Sequence, residues 1–293
     1  MERRIYLQLH LLVALFATTA IFGKLISFSA PGTVVWRTLF AALGAGLWVQ
    51  FGTRRKLGLP VKTVLRLLGV GGIIGVHWMC FFGAIKLSNV SIGLAGLATT
   101  SFFTAFSEPF FERRRVRSLE VFLGLLVLSG ILLLAGFERG HWAGLAMALA
   151  SAMLAAVFPV LNRRFVNRDQ LDPSVMVAWE MVGACLLCLV SLRLLDGPGA
   201  FVKLLDFQGY DWLYLLLLAW VCTVFAHAFH IHLLRSMTAY TGNLAMNFEP
   251  IYGILAAAIL FAEHREVHPG FFLGAAAILL ANFLHPLVLR LKR

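Results

Sequence analysis

Charge is scarce in this sequence. Asp, Glu, Lys and Arg make up 13% of its 293 residues, against about 25% in an ordinary soluble domain. Hydrophobic residues make up 60%, and the mean hydropathy is +0.85. Too little polar surface exists to face water all round, which excludes a soluble globule and leaves a polytopic membrane protein. Long polar stretches are also missing, since every segment between apolar runs is short, so there is no separate soluble domain. That removes nucleic acid as a partner despite the net charge of +11, because no basic domain exists to carry it. No G-x-x-x-x-G-K-[ST] motif appears, so direct ATP drive has no support. Cysteine is rare, and Cys80, Cys185, Cys188 and Cys222 all sit inside apolar runs. "CLLC" at 185–188 has redox spacing, but that motif needs a strand-to-helix setting. The four read as small apolar packers, not disulfides or metal ligands.

What is abundant is apolar length. Runs able to cross about 30 Å of hydrocarbon fall near 7–28, 33–51, 65–86, 89–111, 119–137, 141–161, 174–195, 212–234, 240–261 and 268–289. They are longer than barrel strands and do not alternate, which predicts an all-α membrane protein with ten transmembrane helices. The opening "MERRIYLQLHLLVALFATTAIFGKLI" has a basic head like a signal peptide, but its apolar body is long for an h-region, so it is expected to be the first span. With a cytoplasmic N-terminus, 18 of the 25 basic residues lie at cytoplasmic ends and loops and five lie outside. Lys24 and Arg37 fall in spans. That bias predicts both termini in the cytoplasm.

The halves echo each other. "HWMCFFGAIKLSNVSIG" from His77 aligns with "HAFHIHLLRSMTAYTGN" from His227, and Glu112 then falls within one position of Glu263. "VVWRTLFAALGAGL" at 34–47 parallels "VAWEMVGACLLCL" at 177–189, pairing Trp36-Arg37 with Trp179-Glu180, and "AIFG" at 20–23 parallels "AVFP" at 156–159. Repeats of 1–138 and 139–293 with five spans each would enter the membrane from opposite sides. Such inverted repeats suit alternating access around a midplane site. Gly71/Gly75, Gly140/Gly144 and Gly270/Gly274 have the spacing of close helix contacts.

Three stretches carry a family likeness: "GKLISFSAPGTVVWRTLFAA" at 23–42, "HWMCFFGAIKLSNVSIGLAGLATTSFFTAFSEPFFERR" at 77–114, and "TGNLAMNFEPIYGILAAAILFAEH" at 241–264. With Glu112 and Glu263 closing the fourth and ninth spans, the chain resembles the EamA family of the drug/metabolite transporter superfamily over essentially its whole length. The resemblance implies transport of a small metabolite, such as an amino acid or related compound, by efflux across a bacterial inner membrane. The sequence departs from the simplest family pattern at "NFEP", where an acid stands mid-span.

Polar residues inside the spans mark the candidate site, because intramembrane charge is costly and is functional by default. Glu249 lies near the middle of its span and is expected to bind a cationic group or exchange a proton, or else to pair structurally with Lys24 or Arg37. Pro250 after it would loosen the helix. Asn243 and Asn247 share a face, and Thr99, Thr100 and Ser101 stand at matching depth in the first half. His77 and Trp78 lie mid-span, where Trp would wall a cavity. Lys24, His77, Trp78, Thr99, Ser101, Asn243, Asn247 and Glu249 are the expected substrate-binding residues. Arg37, Glu180, His227 and Pro250 are the expected gate or coupling residues. Snorkelling is the plain alternative for Lys24 and Arg37. His227 and His230 at i, i+3 lack a third ligand for zinc, so no metal and no cofactor is expected.

The leading expectation is a secondary carrier, monomeric or homodimeric, for a small polar solute such as an amino acid or amine. Its energy source would be a proton gradient or plain exchange. The rival expectation is an integral membrane enzyme using the histidines and Glu249. Short loops and deep polar groups favour a passage.

Overall fold

A computed structural model describes residues 3–53, 55–137 and 139–262, together with positions 273, 276 and 280. Among the described residues there is no strand. The helices are α1 (Arg3–Leu25), α2 (Ala30–Leu47), α3 (Val61–Leu87), α4 (Val90–Leu97), α5 (Thr100–Glu112), α6 (Ser118–Phe137) and α7 (Trp142–Ala155). They continue with α8 (Phe158–Asn167), α9 (Pro173–Leu195), α10 (Ala200–Lys203), α11 (Asp211–Ala219), α12 (Ala226–Leu233), α13 (Ala239–Met246) and α14 (Glu249–Phe261). Trp48–Thr53 extends α2 and Trp220–Phe225 joins α11 to α12, both wound as π-helix.

Eight segments are long and apolar enough to cross a membrane. They correspond to the first four and the sixth to ninth expected spans. The fifth is the 20-residue α6. The tenth expected span, with Glu263 and the Gly270/Gly274 pair, lies outside the described residues.

Local chemistry sets the boundaries. Ser29 caps α2 by accepting from the Gly32 amide, with Pro31 in the first turn. Asp172 caps α9 by accepting from Ser174 N, with Pro173 leading. Asn89 and Thr238 do the same for α4 and α13. Each supplies an acceptor for an amide that the first turn leaves unpaired, and proline fits there because it has no amide to lose.

Two apolar segments are broken at the same place. Val90–Leu97 is followed by Thr100–Glu112, and 149 residues later Ala239–Met246 is followed by Glu249–Phe261, with identical lengths of 8 and 13 residues. Both second pieces end on a left-handed residue, Arg113 (φ 53°) and Ala262 (φ 55°). The repeat seen in sequence is thus repeated in element lengths, and it sets Thr100 opposite Glu249. Pro250 stands in the first turn of α14 rather than in a helix interior, so it starts a helix instead of kinking one.

α2 and α9 pack side by side, as do α3 and α9 and α3 and α7. α2 and α9 run antiparallel. Near the start of α2, Trp36 Nε1 donates to the Leu204 carbonyl beyond the end of α9 (2.9 Å), and Ser29 Oγ bonds Asp196. Near the start of α9, Trp179 Nε1 donates to the Leu57 carbonyl beyond the end of α2 (3.0 Å). The two tryptophans aligned in sequence therefore make the same contact at opposite ends of one helix pair. α3 and α9 meet backbone to backbone: a Cβ on Gly71 would stand 1.9 Å from the Glu180 carbonyl oxygen, and one on Gly183 would stand 2.2 Å from that of Leu68. Only glycine fits either crossing.

At the α5 end of the bundle, Glu108 accepts from the Ala239 and Tyr240 amides (3.2 and 3.1 Å) and receives Arg114 Nη2 at 3.3 Å. Arg114 also meets Glu120 at 2.9 Å. Partial burial pulls the Arg114 pKa down, but the bonds and charges of Glu120 and Glu108 outweigh this and hold it above the ordinary guanidinium value. Glu112 receives Arg168 (2.7 Å) and Arg163 (3.9 Å) beside them.

Candidate functional site

A cavity with a mostly apolar wall and a few polar groups lies inside the bundle, with about 90 Å³ open to water. One water needs about 10–15 Å³ on this measure, so the space takes several waters or the polar part of a small solute. Its walls come from α1, α2, α3, α4, α5, α7, α8, α12, α13 and α14, that is, from both repeats.

Arg37 enters from α2. It is 1% exposed, donates through Nε to Thr223 Oγ1 (2.8 Å), and lays its guanidinium carbon 3.6 Å from the Trp78 ring centroid. Its Nη1 is buried and has no partner. Stacking on an aromatic face favours the cation, while the orphan Nη1 keeps a donor available.

Glu249 enters from the opposite side, at the centre of the apolar segment Ala239–Phe261. It is 6% exposed, and what exposure it has faces the cavity. Arg37 and Glu249 line the same space. Among the described residues no direct ion pair joins them. Polar groups from α13 flank the acid. Asn243 Nδ2 donates to Thr104 Oγ1 (2.8 Å), and Asn247 Nδ2 donates to Ser101 Oγ (2.9 Å), so the α13–α14 break is tied to the α4–α5 break.

The histidines are placed with equal definition. His77 Nδ1 lies 2.9 Å from the Ser151 carbonyl and 2.8 Å from Ser151 Oγ. Ser151 Oγ donates back to the His77 carbonyl at 3.0 Å. His227 Nε2 lies 2.8 Å from Glu180 Oε2. His230 lines the cavity with its Nε2 unpartnered. Among the described residues no three His, Cys, Asp or Glu side chains are grouped to hold a metal ion.

Of the residues singled out in the sequence, Arg37, His77, Trp78, His227, Asn243, Asn247, Glu249 and Pro250 line the cavity. Four do not. Lys24, near the C-terminal end of α1, is exposed, with its Nζ 4.5 Å from the Phe261 ring centroid. Thr99 turns its hydroxyl back on the Gly96 carbonyl (2.7 Å), and Ser101 is occupied by Asn247. Their neighbour Thr100 lines the cavity instead. Glu180 is fully buried behind His227.

Thr19, Phe16 and Phe158 are among the other lining residues. Phe158 stands in the "AVFP" repeat, which gave a signal. Thr19 and Phe16 gave none, since a threonine and a phenylalanine in an apolar helix are ordinary residues.

The family model described as "EamA-like transporter family" matches residues 3–136 and again 142–285. Comparison with curated proteins gives no match. Among solved structures, a crystal structure that is 20% identical superposes with a TM-score of 0.69, covering 99% of this chain and 100% of its own. At that identity it shows a shared fold.

Proposed function

Because the chain belongs to the EamA-like transporter family and is an integral membrane protein, we propose that it is a secondary exporter of a small polar metabolite, such as an amino acid or amine. Ten spans arranged as two inverted repeats would rock around the cavity. The antiparallel α2/α9 pair, with Trp36-Arg37 and Trp179-Glu180 in matching places, supports this arrangement. The basic bias of the expected inner loops supports cytoplasmic termini, in a bacterial inner membrane as the family resemblance implies.

One observation carries the reading. Arg37 from the first repeat and Glu249 from the second face one water-accessible space in the middle of apolar helices without closing on each other. A closed ion pair would be a structural staple. The Arg37 guanidinium, with Nη1 unpartnered, and the Glu249 carboxyl offer a carboxylate-binding end and an ammonium-binding end, with Trp78, Phe81 and Phe158 among the walls. Moving a solute past them needs only that the cavity open alternately to each side.

A thermal-shift screen of the purified chain over amino acids, amines and nucleosides tests it. A bound class stabilises the protein by about 2.7 kcal/mol at a hundredfold excess over its Kd. Zwitterionic solutes are expected to raise Tm, and the rise is expected to vanish in Glu249→Gln and in Arg37→Gln. A solute that stabilises wild type and both variants alike would contradict the assignment. Chemical conversion of the bound solute would move the protein to the enzyme class.

A further inference from the structure

Glu180 makes a second intramembrane acid that the solute site does not use. It is 0% exposed on α9. Its Oε2 lies 2.8 Å from His227 Nε2 and 3.4 Å from Asn162 Nδ2, and its Oε1 is buried without a partner. We propose that Glu180 and His227 form a proton-binding site that couples solute movement to a proton gradient, an inference that rests on the carrier reading above.

The choice of partner is the first argument. A carboxylate buried in a bundle needs a counter-charge or a proton. A permanent structural pair would use Arg or Lys, and among the described residues neither forms an ion pair with Glu180. Its partner is histidine, the side chain whose charge changes nearest to neutral pH. The pair can hold one proton between two oxygens and a ring nitrogen, and it can lose it again.

Access is the second argument. Glu180 is shut off from water, but His227 lines the cavity. A proton arriving in cavity water binds the His227 ring and is held against Glu180. It leaves by the same ring when the cavity opens to the other side. No bond other than N–H or O–H is made or broken.

The groups facing the pair are few. Arg37 approaches from α2, His77 from α3 and Glu249 from α14, with His230 one turn on from His227 in α12. Cys185 and Cys188 stand on α9, and Cys222 lies in the π-helical turn that precedes α12. Asn162 contributes from α8 a neutral amide whose Oδ1 is also unpartnered. Arg37 and Glu249 offset each other, so the proton decides whether Glu180 and His227 together are neutral or carry one negative charge beside the solute. α9 is fixed against α3 at Gly71, where the Glu180 carbonyl sits. His227 follows a π-turn, the kind of insertion that often marks functional sites in helices. The acid is therefore held on a rigid element and the base on an adjustable one.

The full chain in liposomes, with a labelled zwitterionic amino acid as the probe, tests this. Counterflow at equal pH on both sides reads the carrier alone, and accumulation driven by an imposed pH difference reads coupling. Wild type is expected to show both. Glu180→Gln, which keeps volume and hydrogen bonding, is expected to keep counterflow within about twofold and to lose pH-driven accumulation by about tenfold or more, the loss expected of an essential protonic group. His227→Gln is expected to lose pH-driven accumulation as well, and His232→Gln, exposed and outside the cavity lining, to behave as wild type. pH-driven accumulation that survives in both Glu180→Gln and His227→Gln would overturn the proton site. Absence of counterflow in wild type would instead overturn the carrier reading for that solute. The proton site would then be judged by ¹⁵N-histidine NMR of the full chain in nanodiscs. There the His227 Nε2 resonance is expected to report the bond to Glu180 in wild type and to shift in Glu180→Gln. A His227 resonance that is the same in wild type and Glu180→Gln would overturn the proposal independently of transport.

Discussion

Arg37 is held by two different contacts, and they predict different consequences of change. The planar guanidinium stacks on Trp78 at 3.6 Å while Nε is spent on Thr223, an arrangement an ammonium cannot reproduce. Arg37→Lys keeps the charge and is expected to weaken solute binding by roughly tenfold, about 1.4 kcal/mol, within the range of a desolvated cation–π contact. Solute titration by thermal shift measures this, and an unchanged affinity would show that charge alone suffices. Arg37 and Glu249 were visible in the sequence because a charge inside an apolar run is rare. Which charges meet was not visible. Lys24 and Arg37 look alike on either side of a short loop, yet one turns out to the flank and the other into the cavity. Glu108 is the opposite lesson. Its acid–proline pair repeats the chemistry of Glu249–Pro250, but it faces the start of α13 and satisfies two backbone amides and Arg114 there. Glu108→Ala leaves those donors unpaired and is expected to destabilise the fold by about 1–3 kcal/mol, read as a lower Tm without solute.

Helices transmit that placement. The α4–α5 and α13–α14 segments break at equivalent points, and only one of them has a proline near the break, so proline is not the shared cause. Both breaks are instead stitched by side chains, through Asn247 to Ser101 and Asn243 to Thr104. Apolar length and the repeat were legible in the sequence, and element boundaries followed from caps such as Ser29, Asn89, Asp172 and Thr238. The breaks were not legible, because hydropathy runs through them without interruption. Asn247→Ala is expected to cost about 0.5–1.5 kcal/mol, as one lost hydrogen bond does, and to loosen the setting of Glu249. Asn243→Ala should have a similar cost. The crossing of α3 and α9 is less forgiving. Gly71→Ala sets a methyl group against the Glu180 carbonyl at 1.9 Å. It is expected to cost about 1–3 kcal/mol or more and to lower both Tm and yield, whereas Gly140→Ala, with open space around it, should be neutral.

At the scale of the whole molecule, the account joins a two-repeat chain, matched twice by one family model, to a cavity walled by both repeats. Orientation is checked by labelling: an impermeant thiol reagent applied to intact cells is expected to modify Gln208→Cys and not Lys56→Cys, both exposed positions. The reverse pattern would invert the topology. The composition made the membrane class plain from the start, and the cavity's charged lining could be named in large part. Thr19 and Phe16 in its walls could not, because they are common residues that acquire a role only from where the helices bring them. The most direct measurement is counterflow of a labelled zwitterionic amino acid in liposomes carrying equal amounts of wild type and Glu249→Gln. The account predicts that exchange by Glu249→Gln falls to the level of protein-free vesicles. Exchange at the wild-type rate would contradict it.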